Sequence, residues 1–137
     1  MKELQVQFMT FCDHALTGKD NKLSIIGIFD EIRVSQFPGG LPSAALVAIV
    51  KGKPDTSYTL SIQGGKGKTV LFKPIELSLR TGSSGASNIT MNLQNIGFAE
   101  PGEYDFTITE GEKEVGHTIL HVKQVKEQEE VTYKLPN

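Results

Sequence analysis

Apolar and polar residues alternate one by one through much of this chain, and this period of two limits the folds that it can adopt. The alternation is clearest at 58–62, 89–93 and 104–108, where every second residue is a large apolar or aromatic one. Successive side chains of a β-strand point to opposite faces, so this pattern predicts strands with one buried face. An amphipathic helix would need apolar residues three or four positions apart. The sequence therefore predicts an all-β protein.

Seven segments rich in glycine, proline and small polar residues separate the alternating runs and predict turns. With 14 Gly and 6 Pro in 137 residues, the chain favours many short elements over a few long ones. Its length is typical of one domain. We expect an antiparallel β-sandwich of about eight strands, immunoglobulin-like in layout, with turns at 18–22, 38–40, 54–55, 64–67, 82–88, 101–102 and Gly111.

The alternation also predicts which side chains form the core. Three segments depart from simple alternation. The segment 44–50 is apolar throughout, which favours a strand covered on both sides or one central to its sheet. Gly27 interrupts the apolar run 23–34, where it predicts a bulge or a close backbone approach. Pro74 has no N–H for a ladder and predicts an edge strand. The expected core residues are Phe8, Ile26, Ile28, Leu46, Leu60, Ile62, Met91, Leu93, Tyr104, Phe106 and Leu120.

The composition changes near the end of the chain. We expect a single sandwich domain over 1–122 and, over 123–137, a polar linker followed by an arm. Val131, Tyr133 and Leu135 alternate with polar residues, so the arm could add a strand to an exposed sheet edge. That edge could belong to the same domain or to a second copy, which would make a homodimer by exchange of arms. An unattached tail is the alternative interpretation.

The cellular setting is predicted from what the chain lacks. Its single cysteine, Cys12, cannot form an intramolecular disulfide, which favours a reducing compartment. The first residues carry charges and glutamines where a signal peptide needs an apolar run, and no apolar run approaches ~18 residues. We expect a cytoplasmic protein without a membrane segment.

Two glycine-rich segments are candidates for anion sites. The segment 64–69 partly matches the phosphate-binding loop G-x-x-x-x-G-K-[ST], but Ile62 stands where the first glycine belongs and no helix is predicted after it. A glycine-rich hairpin loop is therefore expected. The segment 81–88 could form an anion-binding nest, although an ordinary polar loop is the simpler interpretation.

No group of residues has the spacing of a metal or catalytic site. His117 and His121 are four apart, which on a strand separates them by ~13 Å at ~3.3 Å per residue. In the run Cys12–Asp13–His14, neighbouring side chains point to opposite faces, so at most Cys12 and His14 converge. The sequence therefore predicts no catalytic, metal-binding or cofactor-binding residue, and no cofactor.

Four lysines near predicted turns are candidates for nucleic-acid binding. Lys51, Lys53, Lys66 and Lys68 all lie near predicted turns that could fall at one end of a sandwich. No aromatic residue stands between the two lysines of either close pair, 51 with 53 or 66 with 68, and the net charge of the whole chain is -2. We therefore expect no nucleic-acid partner.

The segment 100–106 resembles the start of the penultimate strand of immunoglobulin-like domains. There a tyrosine forms a corner in which its hydroxyl bonds back to nearby backbone, and Tyr104 occupies that position. Phe106 stands where antibody domains have the disulfide cysteine, and the chain has no tryptophan. The resemblance implies a relative of these sandwiches rather than an antibody-type domain.

A broader resemblance covers most of the chain. The order of 12–15, 22–32, the loop Phe37–Pro38 and 101–104 is similar to that of a family of short, uncharacterised bacterial proteins. Members of this family are single β-sandwich domains with no assigned activity. The resemblance implies the fold and a bacterial or phage origin, and it transfers no site residue.

The sequence by itself leaves the function unknown. Because no motif carries chemistry, we expect a non-catalytic binding or protein-interaction module, with a protein partner or a second copy of itself. The alternatives are a structural component of a bacterial or phage assembly and an enzyme without a recognisable motif.

Overall fold

Ten strands and no helix make up residues 3–126, the part of the chain that the computed structural model describes. The strands are β1 (Gln5–Thr17), β2 (Leu23–Phe29), β3 (Glu31–Val34), β4 (Gly39–Lys51), β5 (Ser57–Lys66), β6 (Thr69–Val70), β7 (Ile75–Arg80), β8 (Ala86–Phe98), β9 (Gly102–Glu110) and β10 (Lys113–Gln124).

The strands form two sheets. The four-stranded sheet has the order β2-β1-β4-β8, and the six-stranded sheet has the order β3-β10-β9-β5-β6, with β7 also paired to β5. All pairs are antiparallel except β3 with β10. The predicted all-β sandwich is confirmed. The strand count exceeds the expected eight because the run 23–34 divides into β2 and β3, one in each sheet, and because β6 adds a pair of residues.

The core lies between the two sheets. Phe11 packs edge-on against Phe106, and Phe98 packs edge-on against Tyr104, each with ring centroids 4.7 Å apart. Seven of the expected core residues are buried, and Met91 is partly buried at the border of the core. The buried seven are Leu46, Leu60, Ile62, Leu93, Tyr104, Phe106 and Leu120.

Phe8 was wrongly predicted to lie in the core, since 40% of its surface is exposed. A β-bulge between Val6 and Phe8 in the β1–β4 ladder adds one residue and reverses the alternation. Val6 therefore packs against the core before the bulge, and Met9 and Phe11 do so after it.

Ile26 and Ile28 were also wrongly predicted as core residues, since they are 52% and 60% exposed. Both lie on β2, an edge strand, and Gly27 between them has a φ of 73°. The β1–β2 ladder shows no register shift at this glycine. A β-carbon built on Gly27 would lie 2.3 Å from Oδ2 of Asp13, so the glycine marks a close approach rather than a bulge.

Two other strand predictions agree with the structure. β4 is central in its sheet, between β1 and β8, and 44–48 are all buried. Pro74 immediately precedes β7, which pairs with β5 alone among the described strands.

At the start of β9, the Tyr104 hydroxyl donates a hydrogen bond to the carbonyl oxygen of Glu100 at 2.6 Å. β10 continues to Gln124, so the segment interpreted as a linker begins within a strand.

Candidate interaction surface

The hairpin of β1 and β2 ends in a loop that its own backbone closes. The amide of Gly18 donates to the carbonyl oxygen of Lys22 at 2.9 Å, and the amide of Asn21 donates to the carbonyl oxygen of Gly18 at 3.0 Å. Asn21 has a φ of 62°, a left-handed conformation that asparagine tolerates better than most residues. The ammonium group of Lys22 pairs with Asp20 at 3.4 Å. The tip of the hairpin is therefore a defined turn.

One side of the hairpin packs against the sheet face that points away from the core. Cys12, Ala45 and Val47 alternate with core-facing residues and are buried on that outer face. Ala15, Leu23 and Ile25 of the hairpin pack against them in a second, smaller apolar cluster. This packing fixes the hairpin on the sheet.

Three other large apolar side chains of the hairpin face solvent. Leu16, Ile26 and Ile28 are 61%, 52% and 60% exposed, and we call these three residues the hairpin surface. They are half of the six large hydrophobic residues that are exposed among the described residues. In the ladder, Leu16 is opposite Ser24 while Ile26 is opposite His14, so Leu16 and Ile26 occupy diagonal neighbouring positions. Single exposed apolar residues are normal, whereas a cluster of them is a candidate for a binding surface.

The prediction from alternation missed this surface because it assigned one apolar face to the strand. The sequence did contain a signal, since Ile25 and Ile26 are adjacent, as are Ile28 and Phe29. Adjacent apolar residues supply both faces of a strand. Because β2 lies at the edge of its sheet, only one of its two apolar faces is covered.

The glycine-rich segment forms the predicted hairpin. Gly65 and Lys66 of β5 pair with Val70 and Thr69 of β6, so no phosphate-binding helix follows the glycines. A polar groove of about 250 Å³ lies beside this hairpin, below the ~300–1,000 Å³ of usual small-molecule sites. It is lined by Gln63, Gly64, Gly65, Gly67, Thr69, Val70, Asp105 and Thr107.

A second cavity of about 390 Å³ lies near the start of β5. Its lining contains two carboxylates and two ammonium groups, of which Glu3 and Lys113 form an ion pair. The side-chain hydrogen bond from Lys113, and then its positive charge, lower the pKa of Glu3 below its usual range. Neither this cavity nor the groove is lined by a histidine or a cysteine.

Cys12 and His14 do not form a shared site, because the Cys12 side chain is fully buried and His14 is exposed. Burial raises the pKa of the Cys12 thiol, and the neighbouring Asp13 carboxylate raises it further. A buried, protonated thiol is a poor nucleophile and a poor metal ligand. Within residues 3–126, no group of three or more histidine, cysteine, aspartate or glutamate side chains could hold a metal ion.

The two histidines of β10 have different neighbours. Nε2 of His117 lies 2.8 Å from Oδ1 of Asp105. His121 is opposite Glu103 on one side and Glu31 on the other.

Glu31 has two basic neighbours of its own, Lys123 at 2.9 Å and Arg33 at 3.2 Å. Hydrogen bonds from Lys123, then from Arg33, hold the pKa of Glu31 below its usual range.

Three of the five amides in the loop 81–85 bond to backbone carbonyl oxygens. The amides of Thr81, Gly82 and Gly85 donate to the carbonyl oxygens of Thr56, Ala86 and Gly82, respectively. An anion-binding nest needs successive amides that point outward together, and these three amides are not available to one.

The four lysines do not share one end of the sandwich. Lys53 lies just before β5 and Lys66 at its end, so about nine strand steps of ~3.3 Å, or ~30 Å, separate them. Lys66 also binds Glu100 at 3.0 Å. The structure therefore does not gather these four lysines into one basic end.

The arm 131–135 lies outside the described residues. None of the residues that the structure describes forms a helix able to cross a membrane.

Comparisons with solved structures match this chain to parts of much larger proteins. A GH3 β-glucosidase from Bifidobacterium adolescentis matches 88% of this chain at 13% identity with a TM-score of 0.50, and the match covers 17% of that enzyme. The alkylpurine DNA glycosylase AlkC from Pseudomonas fluorescens, bound to DNA containing an abasic site analogue, matches 88% of this chain at 8% identity with a TM-score of 0.50. That match covers 30% of the glycosylase. At these identities the likeness shows the fold alone.

An immunoglobulin-like protein from Pseudomonas aeruginosa matches 88% of this chain and 97% of its own, at 12% identity with a TM-score of 0.48. No curated protein matches the sequence. The sequence profile of one family, described as a family of unknown function, matches residues 7–123 and therefore most of the chain. The chain belongs to this family of unknown function, DUF6941.

Proposed function

We propose that this protein is a non-catalytic protein-interaction module that binds an apolar segment of another protein on the hairpin surface. The observation that carries the proposal is the clustering of Leu16, Ile26 and Ile28, each more than half exposed, on one hairpin.

The exposed area is large enough to matter for binding. Full burial of a leucine or isoleucine side chain contributes ~1.5–3 kcal/mol, so covering the exposed half of each contributes about 1 kcal/mol. The three residues together would supply about 3–4 kcal/mol, or a factor of several hundred in affinity. Such a surface makes a substantial contribution to an interface without any charged contact.

The hairpin is also held in one conformation before binding. The tip is closed by hydrogen bonds within 18–22, and the opposite side packs on Cys12, Ala45 and Val47. A preordered surface loses less conformational entropy when a partner binds. This supports recognition by docking on a rigid edge of the sandwich.

The enzyme alternative has less support. Catalysis by a nucleophile needs an accessible reactive group with a base beside it, and the Cys12 thiol is buried. His117 contacts Asp105 on the sheet surface, but the nearby groove is small and contains no nucleophilic thiol.

The test begins with purification of the tagged protein from its native cell and identification of a protein that co-elutes in fixed stoichiometry. The dissociation constant of that partner is then measured for the wild type, for Ile26→Thr/Ile28→Thr and for the control Val70→Thr. Val70 is 66% exposed on β6, in the other sheet, so the control removes an equally accessible apolar group.

We expect the double variant to bind about 30-fold more weakly, from about 2 kcal/mol of lost burial, and the control to bind as the wild type does. A partner that binds both variants equally well would contradict the proposed surface. Co-elution of a metabolite or of a reaction product instead of a protein would contradict the proposed function.

A further inference from the structure

The outer edge of β8 is unpaired in the part of the chain that the structure describes. β8 (Ala86–Phe98) ends the four-stranded sheet and pairs on one side only, with β4. Its ladder with β4 runs from Gly39↔Phe98 to Lys51↔Ala86, so β8 is paired on that side from its first residue to its last. The backbone N–H and C=O groups on its other side are a template for a further strand.

The other sheet edges carry features that discourage pairing. β6 has only two residues. β3 has four residues, and its Glu31 is bound by Lys123. β7 has six residues, follows Pro74 and contains Glu76. β2 has the left-handed Gly27 in its middle. Short length, charge, proline and backbone irregularity are the usual ways in which proteins protect sheet edges.

β8 has none of these features over most of its length. Its 13 residues include no charged residue and no proline. Its first positive φ is at Asn95, where the angle is 54°, so 86–94 are regular strand. A long, neutral, regular edge is the kind of strand that pairs with another chain.

We propose that β8 pairs antiparallel with β8 of a second copy of this chain, around a two-fold axis at Met91. The pair would join two four-stranded sheets into one of eight strands. Ile89 would then lie opposite Leu93 of the partner, and Thr90 opposite Asn92 of the partner. Every opposing pair is neutral, so the self-pairing involves no charge repulsion.

Burial along β8 supports this register. Ile89 and Leu93 are 6% and 4% exposed, whereas Met91 between them is only partly buried. A two-fold axis at Met91 places the two partly exposed side chains against each other. On the opposite face, Thr90 and Asn92 are exposed and can form hydrogen bonds across the axis.

A second copy fits this edge better than the C-terminal segment of the same chain. The segment begins after β10, whose neighbours in the six-stranded sheet are β3 and β9. β7, the strand that contacts β8 across the sandwich, is three strand positions from β10, beyond β9 and β5. The shorter path from β10 leads toward β2 and β3, at the other side of the sandwich.

This inference is independent of the proposed function, because β2 and β8 are opposite edges of the four-stranded sheet. Pairing through β8 leaves both hairpin surfaces free at the two ends of the joined sheet. The dimer would therefore be bivalent, which raises the apparent affinity for a partner that carries two binding segments.

Light scattering of full-length variants tests the pairing. In the proposed register, Thr90→Lys/Asn92→Lys places lysines opposite lysines, so this variant should have the mass of one chain while the wild type has the mass of two. Thr90→Glu/Asn92→Glu should also be monomeric by itself. An equimolar mixture of the two variants should restore the dimer, because each lysine then lies opposite a glutamate.

The matched control is Thr59→Lys/Gln63→Lys, which adds the same charge at exposed positions of β5 and should remain dimeric. Circular dichroism and thermal unfolding of every variant verify that the fold is retained.

A monomeric wild type at all concentrations from micromolar to millimolar would overturn the proposal. So would a lysine variant that is still dimeric, or a mixture in which no heterodimer forms by native mass spectrometry. Deletion of 127–137 should leave the dimer intact, and loss of the dimer would show that the arm makes the contact instead.

Discussion

Thr81 provides the sharpest test of how the loops hold the sandwich together. Thr81 is 2% exposed, and its hydroxyl bonds the neighbouring segment 53–56 at two points. Oγ1 accepts a hydrogen bond from the amide of Thr56 at 2.9 Å and donates one to the carbonyl oxygen of Lys53. Replacement by valine keeps the shape of the side chain and removes both bonds.

The expected loss of stability follows from these two bonds. Each hydrogen bond contributes a net ~1 kcal/mol, and a buried group left without a partner adds ~1–3 kcal/mol. The Thr56 amide and the Lys53 carbonyl are only partly buried, so water replaces some of the lost bonding. We therefore expect Thr81→Val to lower the free energy of unfolding by about 2–3 kcal/mol, with a fall in Tm of about 10 °C.

Urea unfolding followed by circular dichroism measures the effect, with Thr59→Val as the control. Thr59 is exposed on β5, so its replacement should change the free energy of unfolding by less than about 0.5 kcal/mol. Thr81→Ser keeps the hydroxyl and should lose only about 1 kcal/mol for the missing methyl group. If the serine variant is as unstable as the valine variant, methyl packing rather than hydrogen bonding explains the site.

Three further predictions follow from single residues. A β-carbon on Gly116 would lie 2.4 Å from Cγ2 of Val6, so Gly116→Ala should lower the free energy of unfolding by about 1–3 kcal/mol in a urea titration, whereas Gly97→Ala, with open space around it, should not. The raised pKa of buried Cys12 should make its reaction with a coloured disulfide reagent slow at neutral pH until urea unfolds the protein, and fast labelling of the native protein would contradict its burial. The pKa of Glu31 is lower in the folded than in the unfolded chain, so its stabilising contribution is present above the usual pKa of 4.5 and is lost as the pH falls through the lower folded value. Glu31→Gln should therefore reduce the dependence of Tm on pH in the acid range, and an unchanged dependence would show that the neighbouring cations contribute nothing.

The candidate surface was only partly visible in the sequence. Adjacent apolar residues at 25–26 and 28–29 indicate a strand with two apolar faces, but not which face is covered. The structure shows that Ile25 packs on the outer sheet face and that Ile26 and Ile28 face solvent. This outcome depends on β2 being an edge strand, which is a property of strand order.

The sequence by itself determined the fold class, most of the core and the nature of the turns, because alternation and glycine chemistry are local. The central position of β4 and the edge position of β7 also followed from local composition, at 44–50 and Pro74. Tertiary structure alone decided where the alternation reverses, as at the bulge before Phe8. It also decided which strand edges are unpaired, because a free edge depends on every other strand in the sheet. The hairpin surface and the β8 edge both depend on that nonlocal arrangement.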